Sequence, residues 1–275
     1  MTAAANTWSG KRLGMIGAGN MAEALVRGVT AFGLLPASMI EAYDPLSKRR
    51  DLLASLGCGV SDTPEKAAAS DVVLFAVKPE TVRAAASVVR QHLRPGALVI
   101  SIAAGVPLRV LASQLPEGSR LIRVMPNTPL LVGYGMSALA RGPGVDDANF
   151  RLAQSLFSSA GNAVEVDESL LDAVTALSGS GPAYLFRFAE ALEAGGVALG
   201  LGPELARTLT ATTLRGAAEM LVRGGDPAEL RQNVTSPGGT TAAALEALDG
   251  GGFAGLVSKA LLAAKRRGEE LGRDA

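Results

Sequence analysis

From Arg12 to Met125 the chain alternates short apolar runs with stretches whose apolar residues recur at helical spacing. The runs are Arg12–Ile16, Met39–Tyr43, Asp71–Val77, Ala97–Ile102 and Leu121–Met125. Between them lie Asn20–Phe32, Leu46–Leu56, Pro79–His92 and Pro107–Gln114. Unbroken apolar strands between amphipathic helices predict a parallel sheet covered by helices on both faces. Met136–Ala140 and a run near Ala163–Val166 extend one edge of it. Beyond about Val166 the strand signal ends. Helices are expected at Leu170–Leu177, Pro182–Leu199, Pro203–Arg223, Pro227–Asn233, Gly239–Leu248 and Phe253–Glu270. Three of these open with proline near the first turn, where its missing N–H costs nothing. The pattern predicts an α/β chain in three parts: a short flexible extension at residues 1–10, a doubly wound parallel-sheet domain at 11–166, and an all-α domain at 167–275.

The segment Ala183–Leu199 changes the picture of that second domain. It is apolar almost all round, with Leu185, Phe186, Phe188, Leu192 and Val197 pointing in every direction. Such a helix is buried on all sides. A domain of only ~110 residues offers little to cover it, so the cover is expected to be a second copy of the chain. The helical half is therefore read as a dimerisation domain.

Composition narrows the function. At ~100–200 residues per domain, 275 residues hold two domains. A share of 48% apolar and 19% charged residues argues against global disorder. The 26 basic and 26 acidic side chains balance, and aromatics make up 4%; neither fits a nucleic-acid surface. One cysteine, Cys58, and one histidine, His92, exclude an internal disulfide, cysteine-rich metal centres and multi-histidine sites. No metal is expected. No apolar run approaches the ~18 residues of a membrane span, and the start of the chain lacks a signal-peptide profile. A cytoplasmic protein is expected. The 33 glycines and 14 prolines exceed the usual ~12%, so the places where they cluster matter.

The first cluster is Gly17-Ala18-Gly19-Asn20-Met21-Ala22, placed after the first strand and before the first helix. In this G-x-G-x-x-A pattern Gly17 allows the tight turn, and Gly19 lets backbone approach a pyrophosphate. Ala22 keeps the helix close to the sheet, and the helix N-terminus stabilises the anion. This is the signature of a Rossmann-type dinucleotide site. The second strand ends at Asp44, placed to hydrogen-bond an adenosine ribose or to serve as a turn aspartate before Pro45. Ser47, Lys48, Arg49 and Arg50 follow and suit either a 2′-phosphate or a solvated helix face. NAD and NADP both stay open.

Other loops at the expected carboxyl edge carry Ala76-Val77-Lys78-Pro79, Ser101-Ile102-Ala103-Ala104-Gly105 and Met125-Pro126-Asn127-Thr128-Pro129. Lys78, Asn127 and Thr128 read either as ligand contacts or as ordinary loop residues. His92 reads as a surface histidine near a helix C-terminus. In the helical half, Ser178-Gly179-Ser180-Gly181-Pro182 and Val234-Thr235-Ser236-Pro237-Gly238-Gly239-Thr240-Thr241 each open a helix. Capping explains one or two hydroxyls. The density around Ser236–Thr241 points instead to a cradle for a substrate carboxylate.

With Tyr184, these motifs occur in an order that resembles pyrroline-5-carboxylate reductase over roughly residues 11–272. The resemblance implies hydride transfer from NAD(P)H to the imine of 1-pyrroline-5-carboxylate, giving L-proline in the last step of proline synthesis. It also implies a helical homodimer, often built into a ring of dimers, with each active site completed by the partner's helices. The implied cofactor contacts are Ile16, Gly17, Ala18, Gly19, Asn20, Met21, Asp44, Ala76, Val77, Lys78, Pro79, Ala103, Ala104, Asn127 and Asn233. Thr241 would hydrogen-bond the ring nitrogen as a catalytic group with Ser236. Ser236, Gly239, Thr240 and Thr241 would hold the substrate, with Glu168 nearby; from the residues alone Glu168 reads as a helix-start acid. Where many members carry serine or threonine for the 2′-phosphate, this chain has Asp44. Where several carry asparagine near the adenine, it has Thr63. These departures bear on cofactor preference, not on the reaction.

Two other readings use the same layout: a β-hydroxyacid dehydrogenase-like oxidoreductase, and a non-catalytic nucleotide-binding protein. The first needs a lysine on the helix after Gly179-Ser180-Gly181, and that helix has none. The second does not account for the Ser236–Thr241 cradle. The apolar helix generates the first prediction: light scattering at micromolar concentration will give at least a dimer, and a monomer would overturn the covered-helix argument.

Overall fold

The structure is a computed structural model and describes residues 7–274. Its sheet follows from residues with nowhere to go but inside. The strands are β1 (Leu13–Ile16), β2 (Ile40–Tyr43), β3 (Gly59–Ser61), β4 (Val72–Phe75), β5 (Leu98–Ser101), β6 (Arg120–Pro126), β7 (Gly135–Arg141) and β8 (Gly161–Glu165). They lie in the order β3-β2-β1-β4-β5-β6-β7-β8. Every pair is parallel except β6 with β7. The strands β1, β4 and β5 are buried at each residue. Side chains alternate between two cores: on β4, Val72 and Leu74 enter one, Val73 and Phe75 the other. The register sets Leu13 opposite both Ile40 and Val72.

Helices α1 (Asn20–Ala31), α2 (Ser47–Ser55), α3 (Glu65–Ala68), α4 (Val82–Val89), α5 (Leu108–Gln114) and α6 (Asp147–Ser158) belong to this sheet. The expected strands and first four helices are present, shifted at their ends by a few residues. Three elements escaped the sequence reading. The edge strand β3 is short and polar, and α3 is a single turn. Helix α6 was legible: Asp146 accepts from the Asn149 N–H as its cap, and Phe150, Ala153, Leu156 and Phe157 repeat at helical spacing into the core. The expected all-parallel sheet is mixed, because the short link at residues 127–134, which contains the turn Thr128–Val132, brings β7 straight back beside β6, too short for the crossover a parallel pair needs.

The remaining helices are α7 (Leu171–Val174), α8 (Gly181–Ala198), α9 (Pro203–Val222), α10 (Pro227–Asn233), α11 (Thr240–Gly250) and α12 (Phe253–Asp274). The chain forms two compact units. One is made of the described residues up to Ser180 with those from Ala264 on; the other is Gly181–Ala263. These contact units divide at Ser180, beyond the end of the strand signal, and the end of α12 belongs to the first unit. Its Leu271 and Gly272 pack on Gly105, whose φ of +74° and lack of a side chain the contact requires. In the second unit no residue of α8 is buried, and Phe186 and Leu199 are 65% and 88% exposed. One chain alone leaves the expected buried helix uncovered.

The expected extension of residues 1–10 is corrected in part. Residues 1–6 lie outside the described ones, but Trp8 is 1% exposed within the core. Its Nε1 donates to Ser155 Oγ on α6 at 3.0 Å. A tryptophan has more to gain inside than a tail loses by ordering. Cys58 is buried too, and burial, with Glu41 adding to it, pushes its thiol up to about 11. Among the described residues no helix is long and apolar enough to cross a membrane. Trp8→Ala will destabilise the protein by about 3–5 kcal/mol, read from the urea midpoint by circular dichroism; an unchanged midpoint would show that the segment packs without holding anything.

Candidate active site

At the carboxyl end of β1 the chain turns into α1 through Gly17, with φ at +101°. A Cβ there would strike the Ala76 carbonyl, so glycine is required twice over. The Gly17 N–H donates to Tyr43 O and the Ala76 N–H to Ile16 O, each at 2.8 Å. The ends of β1, β2 and β4 are thereby locked together at the point where strand order reverses, the usual crevice for a ligand in such sheets. Gly19 caps α1 without any side-chain hydrogen bond, and nothing lies within 4 Å of where its Cβ would be. The first-turn N–H groups of α1 are left free for an anion.

Two cavities meet here. One, of about 530 Å³, is lined by Ile16, Gly17, Gly19, Tyr43, Asp44 and Ala76–Lys78, with an apolar wall from Pro64, Ala85 and Val88. The other, of about 360 Å³, is lined by Gly19–Met21, Ala76–Lys78, Ile102, Met125–Thr128 and Gly179. Gly19, Ala76, Val77 and Lys78 are common to both. Together they form an elongated cleft with the glycine turn at its middle, of a shape and donor set suited to a dinucleotide. Lys78 is exposed at the start of the turn before α4, and its carbonyl accepts from the Thr81 hydroxyl at 2.8 Å.

Asp44 is fully engaged. Its Oδ2 accepts from the Ala18 N–H at 2.8 Å and its Oδ1 from the Leu46 N–H at 2.9 Å. The carboxylate thus stitches the glycine turn to the end of β2. Of the basic run, Arg50 donates to the carbonyls of Asp44 and Pro45, and Arg49 donates to Asn20 Oδ1 at 3.0 Å. Arg49 is therefore carried back over the nucleotide loop, while Lys48 stays exposed. Asn127 is engaged as well: its Oδ1 accepts from the Met136 N–H and its Nδ2 donates to Ser178. Ser178 sits in a π-helical turn, Thr175–Gly179, that breaks the helix expected at Leu170–Leu177 and sets Gly179 against Met125.

Of the expected cofactor contacts, Ala18, Pro79, Ala103 and Ala104 line neither cavity. Ala18 and Ala103 are buried, and the Ala18 N–H is used by Asp44. Asn233 lies at the end of α10 in the second unit. The apolar wall was missed, although α4 carried a signal for it: Val88 is 49% exposed, an apolar residue beyond what the core needs.

The expected carboxylate cradle forms the start of α11. Gly239 caps that helix with no side-chain hydrogen bond. Gly238 takes a positive φ of +68°, and Gly239 N–H donates to Ser236 O. Among the described residues the hydroxyls of Ser236, Thr240 and Thr241 make no hydrogen bond, whereas Thr235 is spent on Arg231 O. Three free hydroxyls around an uncapped helix start suit an anionic group.

Glu168 belongs to the first unit. Its Oε1 accepts from the Leu108 N–H at 2.6 Å and from Arg123 Nη1 at 3.3 Å. Arg123, 6% exposed on β6, also meets Asp172 at 3.4 Å. A buried guanidinium on a central strand was not foreseen. It holds α5 and α7 to the sheet.

A family model described as pyrroline-5-carboxylate reductase dimerisation matches residues 168–271, and one described as NADP oxidoreductase, coenzyme F420-dependent, matches residues 12–105. Pyrroline-5-carboxylate reductase of Arabidopsis thaliana is 43% identical over 263 residues, 94% of this chain and 95% of that protein. The chain belongs to the pyrroline-5-carboxylate reductase family. A solved reductase from Coxiella burnetii superposes with a TM-score of 0.89 at 37% identity, covering 95% of this chain and 98% of that one. The Plasmodium falciparum pyrroline carboxylate reductase with NADP bound gives 0.87 at 30% identity, covering 96% and 98%. The family's dimerisation segment includes the uncovered helix α8.

If Asp44 is a stitch, Asp44→Ala will lower kcat/KM for NADH and NADPH together by about tenfold, the worth of one hydrogen bond. A selective gain with NADPH would assign the carboxylate to the ribose instead.

Proposed function

We propose that this protein reduces 1-pyrroline-5-carboxylate to L-proline with NADPH or NADH, the last step of proline synthesis. The observation that carries the reading is the uncapped start of α11 with its three free hydroxyls, in a chain whose first unit holds an uncapped phosphate turn. The cofactor is assigned to Ile16, Gly17, Gly19–Met21, Ala76–Lys78 and Asn127, with Ala18, Ala103, Ala104 and Pro79 as supporting positions of the same unit; Asn233, on the second unit, is kept as a proposed contact. When bound, the nicotinamide supplies a hydride.

The substrate is a cyclic imine that carries a carboxylate. Protonated, its C=N carbon is already electrophilic, so the enzyme needs positioning and electrostatics more than a strong acid. That suits a chain whose single histidine is exposed and lines neither cavity. Ser236 and the N–H groups of Thr240 and Thr241, presented by the turn at Gly239, hold the carboxylate, which fixes the ring. The Thr241 hydroxyl bonds the ring nitrogen and keeps its proton in place while the hydride adds to carbon; the nitrogen ends as the amine of proline. Glu168 is given a positioning role, because its carboxylate is spent on Leu108 and Arg123.

Asp44 faces backbone donors rather than standing free, and Arg49 reaches the nucleotide loop. Both features leave room for a 2′-phosphate, so NADPH is accepted alongside NADH. The working form is a cytoplasmic homodimer assembled into a ring of dimers, a reading supported by the exposed apolar residues of α8.

Cofactor oxidation followed at 340 nm, with and without 1-pyrroline-5-carboxylate, tests the activity; cofactor binding without turnover would favour a sensor. Thr241→Ala will lower kcat/KM for the imine by tenfold or more, as one lost transition-state hydrogen bond requires. Wild-type rates in that variant would refute the role.

A further inference from the structure

The amino ends of β1, β4, β5 and β6 converge at the opposite end of the sheet from the nucleotide turn. A cavity of about 470 Å³ lies there, between these strand starts and the first turns of α6. Four cations line it, Lys11, Arg94, Arg120 and Arg151, against one carboxylate, Asp71. In a chain of zero net charge this is a local excess.

The nearby carboxylates offset it only in part: Asp146 and Asp147 feel the charges of Arg120 and Arg151 but form no ion pair with them. Asp71 accepts from the Arg12 N–H and pairs with Arg94 at 3.2 Å. Asp146 is bound to the backbone and side chain of Asn149. Asp147 pairs with Arg141. Among the described residues Lys11, Arg120 and Arg151 form no ion pair. Arg120 is also held in place, its Nη1 donating to Gly96 O at 3.0 Å. A guanidinium fixed by a neutral carbonyl keeps its remaining donors for a ligand. Three cations without an ion-pair partner around one concavity, offset only at longer range by Asp146 near Arg120 and Asp147 near Arg151, leave a positive field that attracts a multivalent anion.

We propose that this cavity is a binding site for a small anion bearing two or more phosphate charges, separate from the nucleotide cleft. The planar, forked donors of the arginines match phosphate oxygens, and the cavity has room for a diphosphate group. Free pyrophosphate and the phosphate tail of a nucleoside triphosphate share that chemistry.

Calorimetry separates this site from the nucleotide cleft. Pyrophosphate is titrated into the full-length enzyme with the cleft saturated by NADP⁺, at low ionic strength because surface charge is screened by salt. One pyrophosphate per chain is expected. Arg120→Gln should weaken it at least fivefold, and so should Arg151→Gln, an exposed position whose change leaves the fold intact. Steady-state kcat/KM for the reductase reaction should be unchanged in both. A parallel titration with ATP distinguishes the sources. Equal affinity assigns the site to the phosphates alone, and tighter ATP binding assigns it to a nucleotide. No heat with either probe, or affinity undiminished in both variants, would overturn the proposal.

Discussion

The constraint on which the rest depends is the closeness of backbone at the end of β1. Gly17 sits against the Ala76 carbonyl with no room for a side chain, and its N–H is tied to Tyr43 on β2. Three strand ends are locked within hydrogen-bonding distance of one turn. The turn then has one direction in which to start α1, and that direction leaves the first N–H groups facing the cleft. Asp44 completes the lock from the side chain. Preorganisation of this kind is what makes a phosphate site: the donors are aimed before the anion arrives.

A second lock lies further along the sheet. Arg123 is buried on β6 and bridges Glu168 and Asp172, while Glu168 also holds the start of α5. A buried charge is costly unless it is paired on both sides, and two carboxylates provide that pairing. The same region receives the end of α12 through Gly105, Leu271 and Gly272. The chain therefore returns to its first unit after forming the second, which explains why the contact boundary does not follow the end of the strand signal.

The second unit is arranged differently. Its helices leave large apolar side chains exposed in the single chain, including Leu185 and Phe186 on α8. Polar chemistry is concentrated at one helix start, where hydroxyls remain free because the cap is a glycine. Stability of this half is bound up with the surface the dimerisation segment presents, whereas the first unit carries two cores of its own.

Periodicity and glycine placement determined the architecture from sequence alone. Buried parallel strands leave continuous apolar runs, and tight turns into helices leave glycines at set positions; Gly17 and Gly238, at positive φ, and Gly19 and Gly239, at helix caps, were legible for that reason. What each polar side chain does was decided only by tertiary structure. Asp44, Asn127 and Glu168 each looked available to a ligand, and each is hydrogen-bonded to the protein. Their partners, on Ala18, Met136 and Leu108, are backbone N–H groups that every residue but proline carries, so no sequence pattern marks them. Arg123 was invisible because its two carboxylates are 45 and 49 residues away along the chain. Trp8 looked like part of a tail because its partner, Ser155, is supplied by a helix 147 residues on. Local order is written in neighbouring residues; the pairing of charges and hydrogen bonds is settled by which distant segments the fold brings together.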